Sequence, residues 1–240
     1  MKSIENKTHN STSLNTAVRE FAVSKKYFHI LELKQAMEAA GVSCNQESIK
    51  KSLYRLHKSD TLFRSGRGWY STIPHPFILD TEPIQKIMAI IREQFPLLDF
   101  STWSTRQLSS YFHHLQTKSL QFVYAERDSL SSLMEVLRQE HVNCYLDPNK
   151  RDISRQFYID ELFVVLRPAI SEEPKKDSGA TIEKILVDLL IETQRISFID
   201  EWEYERLFEN IIMQYRIDMA VLIRYARRRK QLNRFQKLVH

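Results

Sequence analysis

Apolar and polar positions along the chain change period repeatedly, and each change marks an element. Residues 1–14 are polar with little to bury and are expected to be disordered. From Asn15, Val18, Phe21 and Ala22 share one face and predict a helix, Tyr27 to Leu31 predicts a short strand, and Glu32 to Ala40, closed by Gly41, a second helix. The stretch NQESIKKSLYRLHKSDTLFRSGRGWY, Asn45 to Tyr70, carries the clearest pattern. Asn45 as cap and Glu47 in the first turn open a helix whose Ile49, Leu53 and Leu56 form a buried face. Lys51, Tyr54, Arg55 and Lys58 fall at i, i+3, i+4 and i+7, an outward stripe to which Lys50 adds a further cation. Beyond Asp60, strand-like Thr61–Arg64 and Trp69–Thr72 flank Ser65-Gly66-Arg67-Gly68, a turn whose glycines permit positive φ.

Helix, strand, helix, helix and hairpin is the order of a winged helix-turn-helix, with the third helix as recognition helix and the hairpin as wing. A basic stripe beside a basic wing tip suits double-stranded DNA, so Lys50, Lys51, Tyr54, Arg55, Lys58, Arg64 and Arg67 are the expected DNA-binding residues. Lys51, Arg55 and Lys58 would lie along the major groove, with Arg55 as the expected base reader, and Arg64 and Arg67 would reach the backbone or minor groove. Two plainer readings stand beside this one: a solvated basic face, or a winged helix that binds a protein.

Pro74, Pro76 and Pro83 mark a linker. The expected domains are a disordered N-terminus over 1–14, a winged helix over 15–73, a linker over 74–83 and an α/β domain over 84–240. In the last of these, Ile84, Ile87, Met88, Ile91 and Phe95 predict a helix. Strand-like and helical runs then alternate through Leu97–Trp103, Thr105–Leu115, Leu120–Ala125, Ser129–His141, Val142–Leu146 and Leu162–Leu166. That alternation predicts a mixed α/β fold with at least part of its sheet parallel. Ser171–Gly179, SEEPKKDSG, reads as a mobile loop, and three helices follow it, with Trp202 assigned to the buried face of the second.

Charge is distributed unevenly. The net charge is +5, yet Lys and Arg outnumber Asp and Glu 12 to 6 over residues 1–78, fall behind 16 to 24 over 79–223, and stand at 7 to none over 224–240. A polyanion is drawn to the two ends. The polar N-terminus and the lack of a long apolar run predict no signal peptide and no membrane span, and Cys44 and Cys144 form no CxxC pair, which together suit the cytoplasm.

FSTWSTRQLSSYFHHL (Phe100–Leu115), LQFVYAERDSLSSLMEVL (Leu120–Leu137), TIEKILVDLL (Thr181–Leu190) and YRIDMAVLIRYARRR (Tyr215–Arg229), behind a winged helix, resemble the AbiEi-like antitoxin and transcriptional-regulator family of bacterial type IV toxin-antitoxin systems. Each motif is degenerate, but their order is specific and covers most of the chain. The resemblance implies a non-enzymatic repressor that binds its own promoter and counteracts a nucleotidyltransferase-like toxin in phage defence. It equally admits a stand-alone regulator without a toxin.

Catalytic alternatives are thin. Asp99 and Glu126 could serve as the carboxylates of a metal-dependent nuclease, but no lysine stands two places after Glu126. Glu183 and Asp188 sit in a helical pattern and are expected to anchor it through nearby arginines. Adjacent His113 and His114 diverge on a helix by about 100° and cannot ligate one ion from one face. No glycine-rich phosphate loop is present, and neither a cofactor nor a metal is expected. Arg224, Arg227, Arg228, Arg229, Lys230 and Arg234, with Lys237, surround what reads as one last helix continuing through Leu232, Phe235 and Leu238. They form a possible second nucleic-acid or partner surface, opposite in charge to Asp200, Glu201, Glu203, Glu205 and Glu209.

Overall fold

The structure is a computed structural model that describes residues 5–42, 45–112, 119–149, 151 and 163–239. Cys44, His113 and His114 lie outside the described residues. The fold is mixed α/β and the chain forms two compact units: residues 1–77 with 212–221, and residues 78–211 with 222–240. The boundary after Phe77 falls inside the expected linker, whereas assignment of Ile212–Val221 to the first unit had no counterpart in the sequence pattern.

The first unit runs α1 (Glu5–Val23), β1 (Tyr27–His29), α2 (Ile30–Ala39), α3 (Gln46–Lys58), β2 (Phe63–Arg64) and β3 (Trp69–Ser71). Helix α1 begins well before the expected Asn15, so the polar stretch is helical from Glu5, continuous with the packed positions Leu14, Val18 and Ala22. These meet Phe28, Leu33, Met37, Ile49, Leu53 and Leu62 in one core. Each such aliphatic side chain contributes about 1.5–3 kcal/mol by leaving water. The strands form an antiparallel sheet in the order β1-β3-β2, and Phe28 of β1 stacks on Tyr70 of β3 at 5.7 Å between ring centres.

Ile212–Val221 straps this unit together. Tyr27 donates its hydroxyl to Tyr215 O at 2.6 Å and accepts from Ile217 N at 3.1 Å. Arg216 donates to the carbonyls of Ile73 (3.0 Å) and Pro74 (2.5 Å), and its backbone N–H donates to His75 O at 2.7 Å. Its guanidinium lies over the Phe63 ring, 4.8 Å from the centre. The proline-rich stretch is thereby packed rather than loose.

Among the described residues the second unit is built on a six-stranded mixed sheet in the order β6-β7-β5-β4-β9-β8. Its strands are β4 (Phe100–Ser104), β5 (Leu120–Ala125), β6 (Asn143–Leu146), β7 (Phe163–Pro168), β8 (Lys175–Lys176) and β9 (Gly179–Ala180). β5 and β6 each pair parallel with β7, and β4 pairs antiparallel with β5. Residues 171–179, expected as a mobile loop, instead supply β8 and the start of β9, which pair as a hairpin.

Helices α4 (Gln85–Gln94) and α5 (Leu130–Gln139) cover one face, where Ile87, Met88, Ile91, Leu133 and Leu137 pack on Val123, Ala125, Val164 and Leu166. Because side chains alternate along a strand, Phe122, Tyr124 and Arg167 point to the opposite face. There α6 (Ile182–Ile196) packs, buried at every residue from Ile182 to Leu190. Helices α7 (Glu201–Gln214), α8 (Met219–Arg228) and α9 (Leu232–Val239) follow. The expected last helix is therefore two, broken at Lys230, whose φ of +58° leaves the helical region. Trp202 is 55% exposed, with Arg206 stacked over it at 4.8 Å, and lies off the buried face that the sequence assigned to it.

Candidate nucleic-acid interface

Helix α3 starts as its sequence requires. Asn45 caps it, accepting from Ser48 N at 2.8 Å, and Ile49, Ser52 and Leu53 are its buried positions. That fixes Lys50, Lys51, Tyr54, Arg55 and Lys58 on the solvent side, all exposed. Lys51 pairs with Glu47 at 3.0 Å, an exposed i,i+4 pair worth about 0.3–0.5 kcal/mol. Lys58 lies over the ring of Tyr54, 5.7 Å from its centre.

The hairpin is held from two sides. Gly68 has φ +79°, and a Cβ there would come within 2.5 Å of His29 Nε2. His29 in turn caps α2, its Nδ1 accepting from Leu31 N at 3.2 Å, while Gly68 O accepts from Ile30 N at 2.9 Å. At Gly66, φ is +103°, and a Cβ would collide with Asp218 Oδ1. Ser65 is buried, donates its hydroxyl to Ile217 O and accepts from Met219 N at 2.9 Å. The turn is a pinned projection, and Arg64 and Arg67 are its exposed side chains.

Between α3 and the hairpin lies a groove of about 850 Å³ whose lining includes Lys50, Lys51, Tyr54, Arg55, Arg64 and Arg67, with Gln46, His57 and Tyr70 among the other walls. Six of the seven residues expected to bind DNA thus border one concavity, and the seventh, Lys58, sits against Tyr54. A second groove of similar volume runs along the other flank of α3, against α1.

A model described as "Family of unknown function (DUF6577)" matches residues 48–240. The chain belongs to this family. The DUF6577 match opens within α3 and takes in every one of those seven residues, the hairpin and the whole second unit, but not α1 or α2. No curated protein matches the sequence.

In this DUF6577 chain the C-terminal cations are not one surface. Arg224, Arg227 and Lys230 are exposed. Arg228 pairs with Glu172 and donates to Ser171 O at 2.8 Å, and Arg234 pairs with Glu201. Arg229 turns inward, its Nε 3.3 Å from Asp188 Oδ1. The acidic segment is in part answered within the fold, through Glu201.

Inside the second unit Lys184, Asp188 and Glu192 form an i, i+4, i+8 stripe on α6, fully buried and facing the sheet. Lys184 Nζ donates to Asp188 at 2.6 Å and Tyr225 at 3.0 Å, and lies 3.2 Å from Glu173. Arg167 pairs with Glu192 at 2.5 Å and with Asp147 at 2.9 Å, and Arg195 also reaches Asp147 at 2.8 Å. Burial pushes the Glu192 carboxyl up from its ordinary value, and the Arg167 guanidinium beside it opposes that rise. Burial raises the Tyr124 hydroxyl strongly, with the Asp188 and Glu192 charges acting in the same direction. Asp188 thus has the arginine partner that its sequence context suggests. Glu192, which the sequence reading did not single out, holds the other.

Asp99 and Glu126 stand just outside the paired ends of β4 and β5, one position beyond the Phe100–Ala125 pair. Both are exposed, and Asp99 pairs with Lys175. Among the described residues no group of three or more His, Cys, Asp or Glu is arranged to hold a metal ion, and no helix is long and apolar enough to cross a membrane.

Proposed function

We propose that the chain is a DNA-binding transcriptional repressor of the antitoxin type, acting in the cytoplasm. Its first unit is a winged helix-turn-helix, with α3 as recognition helix and the β2–β3 hairpin as wing. The observation that carries this reading is the convergence of Lys50, Lys51, Tyr54, Arg55, Arg64 and Arg67 on one groove beside an exposed helix face. Cations on a helix that fits the major groove, flanked by a pinned basic hairpin, suit a duplex that offers base edges between two phosphate strands.

The second unit is the part that would oppose a nucleotidyltransferase-like toxin. What supports this half of the reading is the ordered resemblance of its segments to AbiEi-like regulators. No catalytic step is assigned to it.

A reporter driven by the DNA upstream of the chain's own reading frame tests the repressor half. Expression of the protein lowers the reporter, and the Arg64→Ala/Arg67→Ala variant restores it. Equal reporter output with and without the protein removes the reading. Co-expression with the product of the neighbouring reading frame tests the toxin half, through growth rescue.

A further inference from the structure

A helix with its side chains is about 10–12 Å across, and the major groove of B-DNA is about 12 Å wide, so a seated recognition helix has one sugar-phosphate strand along each flank. On one flank of α3 the hairpin supplies Arg64 and Arg67. The other flank is the groove against α1, lined by Arg19, Val23, Ser24 and Arg55 together with Asn15, Thr16, Glu20, Ser52 and Leu56. Arg19 is exposed at the solvent face of α1. Val23, 60% exposed, offers an apolar wall of the kind a deoxyribose can lie against. Ser52 donates to Asn15 at 2.5 Å across this groove, which ties α1 to α3 and fixes its spacing.

Arg55 borders both grooves, whereas Lys50 and Lys51 border the hairpin groove. At 100° per residue Arg55 stands about 180° around α3 from Gln46, which faces the hairpin groove. It also lies in the C-terminal half of α3, away from the first turns that in helix-turn-helix proteins reach base edges. We infer that Arg19 and Arg55 form a second phosphate clamp, opposite the hairpin, so that Arg55 positions the duplex and does not read its sequence. Glu20 sits in the same groove and sets a limit on how deeply a phosphate enters it.

This inference rests on the DNA-binding reading, and its test separates the two. Binding is measured by fluorescence anisotropy with a duplex taken from upstream of the chain's own reading frame and with a scrambled duplex of equal length, across a potassium chloride series. Arg19→Ala and Arg55→Ala each reduce the slope of log K against log salt by about 0.9 and weaken both duplexes by the same factor, which leaves the preference between them unchanged. Arg19→Lys keeps the wild-type slope. Lys34→Ala removes an exposed cation of α2, paired with Glu38, and leaves the slope as it was. The clamp is overturned if Arg19→Ala matches Lys34→Ala, or if Arg55→Ala changes base preference at one position without changing the slope. Wild-type protein that binds neither duplex removes the DNA-binding reading itself and the clamp with it.

Discussion

The ammonium of Lys184 lies 3.7 Å from the centre of the Tyr124 ring and 2.6 Å from Oδ2 of Asp188, with none of its surface exposed. Asp188 and Glu173 are the counter-charges that make this burial tolerable. Lys184→Met takes the ammonium from Glu173 and leaves Asp188 with Arg229 alone, and the expected loss is about 3–5 kcal/mol in chemical denaturation. A loss below about 1 kcal/mol contradicts the assignment of a dry, mutually dependent cluster. Tyr124→Phe is the contrasting variant: its ring remains under the ammonium, and the hydroxyl that it removes finds no hydrogen-bond partner among the described residues. That change is expected to be neutral or to stabilise by about 1 kcal/mol.

Alkaline stability follows from the tyrosines of the same cluster. Burial, then the Asp188 charge, raises the hydroxyls of both Tyr124 and Tyr225. A raised folded-state pKa gives stability that is complete below the ordinary tyrosine value of about 10 and is lost as pH climbs beyond it. Denaturation midpoints measured from pH 8 to 11.5 should therefore fall above about pH 10, and the fall should be smaller in Tyr225→Phe than in wild type. Parallel curves for the two proteins would show that Tyr225 takes no part.

The strap on the first unit predicts a local effect. Tyr27→Phe removes the donor to Tyr215 O and the acceptor for Ile217 N, and should cost about 1–3 kcal/mol. Hydrogen exchange at the Ile217 amide should accelerate with it. Gly66→Ala combines an unfavourable φ with a collision at Asp218 and should speed exchange across Phe63–Ser71. Unaltered exchange in that stretch would mean that the strap does not hold the hairpin.

Helix α3 is legible because its signals are local: a capping Asn45, a helical apolar period and a basic outer stripe all fall within 14 residues, Asn45 to Lys58. The turn was legible from Gly66 and Gly68 for the same reason. The strap was not, since Tyr27 and Ile217 are 190 residues apart and a hydroxyl-to-backbone bond leaves no pattern in sequence. Composition counts the C-terminal cations but gives no direction to them, so it does not separate Arg229, which points to Asp188, from its solvent-facing neighbours. The break at Lys230 lacks the Gly or Pro that ordinarily announces one. One further signal is present in the sequence: α6 is apolar around most of its circumference, which implies burial on all sides, so Lys184 and Glu192, at i−4 and i+4 from Asp188, have to be paired as well.

The most direct measurement is binding of the purified protein, and of Arg64→Ala/Arg67→Ala, to a duplex from upstream of its own reading frame and to a scrambled duplex, from low to physiological salt. The account predicts a preference for the native duplex that persists at physiological salt, with weaker binding and a shallower salt slope in the double variant. Absence of measurable affinity for either duplex at low salt would contradict it and leave the basic groove to a protein partner.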